Sequence, residues 1–144
     1  MRPGEAPGRA RRLRAPLLTA GAVGLAVAAL AVRDPHTQGS WGTCPYLAAT
    51  GLYCPGCGIL RGVHDVAHGD PGAALSSNLV FFGLVAPVLV LAWALWTRRA
   101  WTGRPRAGVR PGRVARTSLV VAAVLLTLVF TVARNTPQGA WLAP

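Results

Sequence analysis

Three stretches of the chain carry no charge and are apolar almost throughout: Ala15 to Val32, Leu79 to Thr97 and Thr117 to Ala133. A helix rises about 1.5 Å per residue, so runs of this length reach about 25 to 29 Å, close to the hydrocarbon thickness of a bilayer at about 30 Å. Backbone groups in lipid must be satisfied within the segment, so each run is expected to be a spanning helix. The pattern predicts an all-α integral membrane protein with three transmembrane helices. Its parts are a basic tail (1–14), a first span (15–32), a loop (33–77), a second span (78–97), a basic loop (98–116), a third span (117–133) and a tail (134–144). The third span is the shortest and needs Arg116 and Arg134 to snorkel at its ends. Pro87 removes one helical hydrogen bond and predicts a bend near Gly83. Asp70 followed by Pro71 has the form of an N-cap and first helical residue, so a helix is expected to start there and run on into the second span.

Composition supports the bilayer as solvent. The 144 residues are 52% hydrophobic and 13% charged, too apolar for a disordered basic tail, and a soluble chain of this size has too little interior to hide such a surface. The net charge of +11 would ordinarily suggest nucleic acid. The arginines nevertheless sort by position. Arg2, Arg9, Arg11, Arg12 and Arg14 precede the first span, and Arg98, Arg99, Arg104, Arg106, Arg110, Arg113 and Arg116 lie between the second and third. Only Arg33, Arg61 and Arg134 fall elsewhere. By the positive-inside rule the N-terminus and the 98–116 loop are cytoplasmic, while the 33–77 loop and the C-terminus lie outside the cytoplasmic (inner) membrane. No aromatic interleaving or reader motif accompanies the clusters, which argues against nucleic acid. The expected partners are the lipid bilayer and anionic headgroups at the cytoplasmic arginines; no protein partner is specified. A removable signal peptide, with Ala29-Leu30-Ala31 as cleavage site, competes for the first span, but its apolar run exceeds the usual h-region and a retained anchor is favoured. Met1 to Gly8 reads as disordered and 98–116 as a solvated linker.

The distinctive chemistry lies in the 33–77 loop, which holds every cysteine. Cys54-Pro55-Gly56-Cys57-Gly58 has the form of a tight turn that points two thiolates at one centre, and Cys44-Pro45 lies ten residues upstream. Cys44, Cys54 and Cys57 with one histidine would complete a tetrahedral site for zinc. Ile59 to His68 reads as a short helix, on which Cys57, Arg61, His64 and His68 form one stripe and His64 and His68 an i, i+4 pair. Chance placement on an amphipathic surface helix accounts for the histidines equally well. The same cysteines admit a structural disulfide with one thiol left over, or a thiol oxidoreductase helped by Arg61. Asp70 reads as a helix cap, and Asn78 as a hydrogen-bonding group at the membrane boundary.

The joint pattern of Cys44-Pro45, Gly51-Leu52-Tyr53-Cys54-Pro55-Gly56-Cys57-Gly58, Arg61, His68-Gly69-Asp70, Ala74, Asn78 and Arg134-Asn135-Thr136-Pro137 resembles an uncharacterised bacterial membrane family, domain of unknown function (DUF) 2752, from Trp41 to the C-terminus. The resemblance implies a small polytopic inner-membrane protein with a cysteine-rich segment beside a helix, and supplies no reaction. Its motif positions here are Cys44, Cys54, Cys57, Arg61, Gly69, Asp70, Asn78, Arg134 and Asn135. Two departures are Leu79 after Asn78, where the family commonly has proline, and Ile59-Leu60 before Arg61, where a threonine is frequent. The reading favoured is a binding or structural module organised by a metal or disulfide, with an oxidoreductase or metal-dependent enzyme as the alternative. Arg134 or Asn135 is expected to hydrogen-bond the cysteine or Asp70 region and close the unit.

Overall fold

A computed structural model describes residues 8–37, 39–103 and 112–144. The expectation of disorder at Met1 to Gly8 falls outside them except for Gly8, as do residues 104–111 of the expected linker at 98–116, whose two ends are helical instead, continuing the second span to Thr102 and starting the third at Arg113. Among the described residues the chain is helical, with no strand. Three helices are long and apolar enough to cross a membrane: α1 (Arg9–Val32), a second formed by a turn at Phe81–Val85 and α5 (Ala86–Thr102), and α6 (Arg113–Arg134). Three short helices, α2 (Pro45–Thr50), α3 (Ile59–Ala67) and α4 (Pro71–Ser77), fill the loop between the first two spans, and a 3-10 helix (Pro137–Leu142) ends the chain.

The helices outrun the apolar segments that predicted them. The first starts at Arg9 and the second runs to Thr102, past Arg98 and Arg99. The backbone ladder continues beyond the hydrocarbon because long arginine stems let their charges reach the headgroup layer. The second span also differs in detail. The helix that starts after Asp70 does not run on into it: Asn78 is extended (φ −161°, ψ 93°) and separates α4 from the next helical turn. The irregularity expected from Pro87 takes the form of a π-helical turn at Phe81–Val85, where the Ala86 N–H donates to the Phe81 carbonyl five residues back. Pro87 has no N–H to give the Gly83 carbonyl, and one wider turn accommodates that loss.

The first two spans lie antiparallel against each other. The Arg12 guanidinium donates to the Ala100 carbonyl (3.1 Å), the Trp93 indole donates to the Pro16 carbonyl (3.2 Å), and Arg9 lies 4.8 Å above the Trp101 ring. The arginine-bearing start of α1 therefore meets the arginine-bearing end of α5. At the opposite end, α3 packs against α4 and against α1, and Gly62 lets the Phe82 ring lie directly on its backbone. The buried polar side chains among the described residues, Asp65, Ser77, Asn78 and Arg134, are at this end. Span side chains such as Leu89, Leu125 and Val129 are more than half exposed, as expected where lipid is their solvent.

Candidate metal centre

The Cys54 to Gly58 turn is built by short-range geometry. The Cys57 N–H donates to the Cys54 carbonyl (3.1 Å) and the Ile59 N–H to the Gly56 carbonyl (3.2 Å), which turns the chain directly into α3. Gly58 has φ +89°, and any side chain there would collide with the Ser77 carbonyl, so glycine is required for both the turn and its seat against α4. Cys44 arrives from the other side as the residue before Pro45 at the start of α2.

These elements bring three free thiols together. Cys54 Sγ lies 3.0 Å from Cys57 Sγ and 3.6 Å from Cys44 Sγ, and all three sulfurs fall within 4.8 Å of one another. Sulfurs held at about 2.3 Å around a tetrahedral zinc stand about 3.8 Å apart, so the spacing suits a thiophilic metal. The sulfurs differ in environment. The Leu47 backbone N–H, followed by the Cys54 side chain, holds the Cys44 thiol below its ordinary range. Burial, reinforced by the neighbouring Cys54, pushes the Cys57 thiol up to about 12. Three carbonyls of the turn, those of Cys54, Pro55 and Cys57, are held from behind.

That hold comes from Asn78 and Arg134. Asn78, fully buried, donates from Nδ2 to the Pro55 carbonyl (2.9 Å) and the Cys57 carbonyl (3.1 Å), while its Oδ1 accepts from the Phe81 N–H (3.0 Å) and caps the second span. Arg134, 1% exposed, donates from Nη1 to the Cys54 carbonyl (3.0 Å) and from both Nη1 and Nη2 to the Cys57 carbonyl (3.3 Å each). Its Nε has no hydrogen-bond partner, and no carboxylate among the described residues pairs with it. Asn135 brackets the preceding residue, accepting from the Tyr53 N–H (2.8 Å) and donating to the Tyr53 carbonyl (2.9 Å). Both residues thus reach the cysteine turn, and neither contacts Asp70, which caps α4 by accepting from the Ala73 N–H (2.9 Å).

The histidines do not join the sulfurs. The stripe expected on α3 divides: Cys57 and Arg61 line a cavity of about 580 Å³ with Cys44, Cys54, Trp41 and Tyr53, while His64 turns toward the end of α1 and the exposed His68 lies against the His64 ring. His64 Nδ1 donates to the Leu30 carbonyl (2.8 Å) and His68 Nδ1 to the His64 carbonyl (2.8 Å). A histidine as fourth ligand beside the three cysteines is therefore not formed, because the turn at Gly58 rotates Cys57 away from the α3 face that carries the imidazoles. Sequence reasoning also missed His36, Asp34 and Asp65. Asp65, buried, accepts from His36 Nε2 (2.8 Å) and from the Ser77 hydroxyl (3.2 Å), tying the loop to α3 and α4. Asp65 has no distinguishing mark in the sequence, since on a helix it shares a side with Arg61 and His68, where an acid reads as a solvated surface residue.

Comparison with curated proteins and with solved structures gives no match. The match to a family model is narrower than the resemblance, because it leaves Arg134 and Asn135 outside. Residues 44–93, the segment that builds the cysteine cluster and leads into the second span, match the family described as protein of unknown function (DUF2752), the family the motif residues resemble.

Proposed function

We propose that this chain is a membrane-embedded metal-binding module in which Cys44, Cys54 and Cys57 hold a zinc ion as thiolates. The observation that supports this best is the buried, carboxylate-free Arg134 behind the turn. A buried cation is costly without a compensating charge. Three thiolates around a divalent ion carry one net negative charge, which Arg134 balances. Zinc would be held through soft sulfur donors, with the fourth position facing the cavity that Arg61 lines. The thiol oxidoreductase reading fits less well, since a redox pair needs two cysteines and here the third sulfur shares the cluster. With the arginine asymmetry as its basis, the metal site lies on the outer face of the inner membrane, and the arginine-rich ends of α1 and α5 meet anionic headgroups.

Elemental analysis and thiol counting on the purified full-length protein test this reading. The expected result is one zinc per chain bound at the cysteines, with no thiol reactive until the protein is unfolded and three reactive afterwards. Cys57→Ser should release that metal. A protein with no metal at the cysteines and a Cys54 to Cys57 disulfide would overturn the proposal in favour of the redox one.

A further inference from the structure

The cavity beside the cysteine cluster takes its walls from the loop after α1, from α2 and from the turn that leads into α3. Its apolar surface comes from Trp41, Leu47, Tyr53 and Leu60. The two aromatic walls are held in place. The Trp41 indole donates to the Arg33 carbonyl (2.8 Å), with the Arg33 guanidinium 5.5 Å from the ring centroid. The Tyr53 backbone is bracketed by Asn135, and Arg134 lies 5.7 Å from its ring centroid. At about 580 Å³ the space has the size that takes a small organic molecule, for which apolar walls with a few placed polar groups are the usual lining.

Arg61, half-buried, is the one charged side chain in that lining. Among the described residues it makes no hydrogen bond or ion pair, and the acids near it in sequence are engaged elsewhere: Asp65 with His36 and Ser77, Asp70 as the cap of α4, and Asp34 with the His36 backbone N–H. The cavity thus sets one uncompensated positive charge beside apolar walls. A planar guanidinium matches a carboxylate through two parallel hydrogen bonds, and a half-desolvated site strengthens such a pair. A phosphate dianion would leave one of its charges unmatched there.

We propose that this cavity is a binding site for a small monocarboxylate with an apolar body, the carboxylate pairing with Arg61 and the body lying against Trp41, Leu47, Tyr53 and Leu60. The site goes beyond the metal reading and does not depend on it, since Arg61 and the walls are in place whether or not the cysteines hold zinc.

The test is equilibrium dialysis of the full-length protein in detergent with 4-phenylbutanoate as the probe and its primary amide as the control for partition into micelles. The acid should bind saturably at one per chain, and the amide at least about tenfold more weakly, the difference expected for loss of a charge-assisted pair. That comparison is made on the parent protein and needs no variant. Arg61→Gln should weaken the acid by a similar factor while zinc content and thermal midpoint stay as in the parent, and phenyl phosphate should bind the parent no better than the acid. The proposal fails if the acid does not saturate, if acid and amide bind alike, if Arg61→Gln binds the acid as the parent does, or if phenyl phosphate binds more tightly. Zinc content measured on the same samples separates the two readings. Zinc present with acid and amide bound alike overturns this proposal alone, and zinc absent with the acid still preferred overturns the metal reading alone.

Discussion

The two ends of this molecule follow opposite rules. At the cysteine-bearing end an arginine, an asparagine, an aspartate and a serine are hidden from solvent, each with hydrogen-bond partners. Along the spans the exposed side chains are leucines and valines, and almost nothing is enclosed. In water the second arrangement would be unstable; in a bilayer lipid provides what a core otherwise would, and tertiary specificity has to come from polar contacts. The polar end is therefore where this fold is determined, and the spans supply its placement.

Substitutions should separate the two regions in a definite order. The largest effect is expected for Arg134→Leu, which removes three charge-assisted bonds and leaves the Cys54 and Cys57 carbonyls buried without them. A loss of about 3 to 5 kcal/mol is expected, the range for breaking a buried charged network, read as a fall in the thermal midpoint in detergent with loss of cysteine-bound metal. An unchanged midpoint would mean that the turn holds its shape alone. Next comes Gly58→Ala, at about 1 to 3 kcal/mol for a left-handed position made to carry a side chain, and more in so far as the Ser77 carbonyl cannot move. Here thiol reactivity is the sharper measurement, because a displaced turn exposes Cys57. The smallest effect, under about 0.5 kcal/mol, is expected for Leu125→Ala on the lipid-facing side of α6. A larger loss in the same thermal assay would show that this face packs against protein, and the contrast between the two ends would weaken.

Features that depend on local pattern were legible in the sequence: the three spans from uncharged runs, the short helix after Gly58, the Asp70 cap, and the gathering of Cys44, Cys54 and Cys57. Arg134 and Asn135 were expected to reach the cysteine region, and they do, though not Asp70. What escaped depends on rotation about a helix axis and on partners far away in sequence. Cys57 and His64 share a nominal stripe only if the helix begins at Cys57, and it begins two residues later, after a left-handed glycine. The role of Asp65 needed His36 and Ser77 to be placed first. Asn78 could be read as a boundary residue but not as the break that separates α4 from the span, since its side chain replaces the local backbone bond by capping Phe81.

α6 buries only Phe130 and Arg134, both near its final turn, and it does not pack along its length against α1 or α5. A rod fixed at one end pivots there. At about 1.5 Å per residue its free end lies about 30 Å from that pivot, so a tilt of a few degrees, such as a change in bilayer thickness imposes, sweeps the far end through ångströms while turning Arg134 almost in place. The third helix is mechanically a lever with its fulcrum at the carbonyls of Cys54 and Cys57.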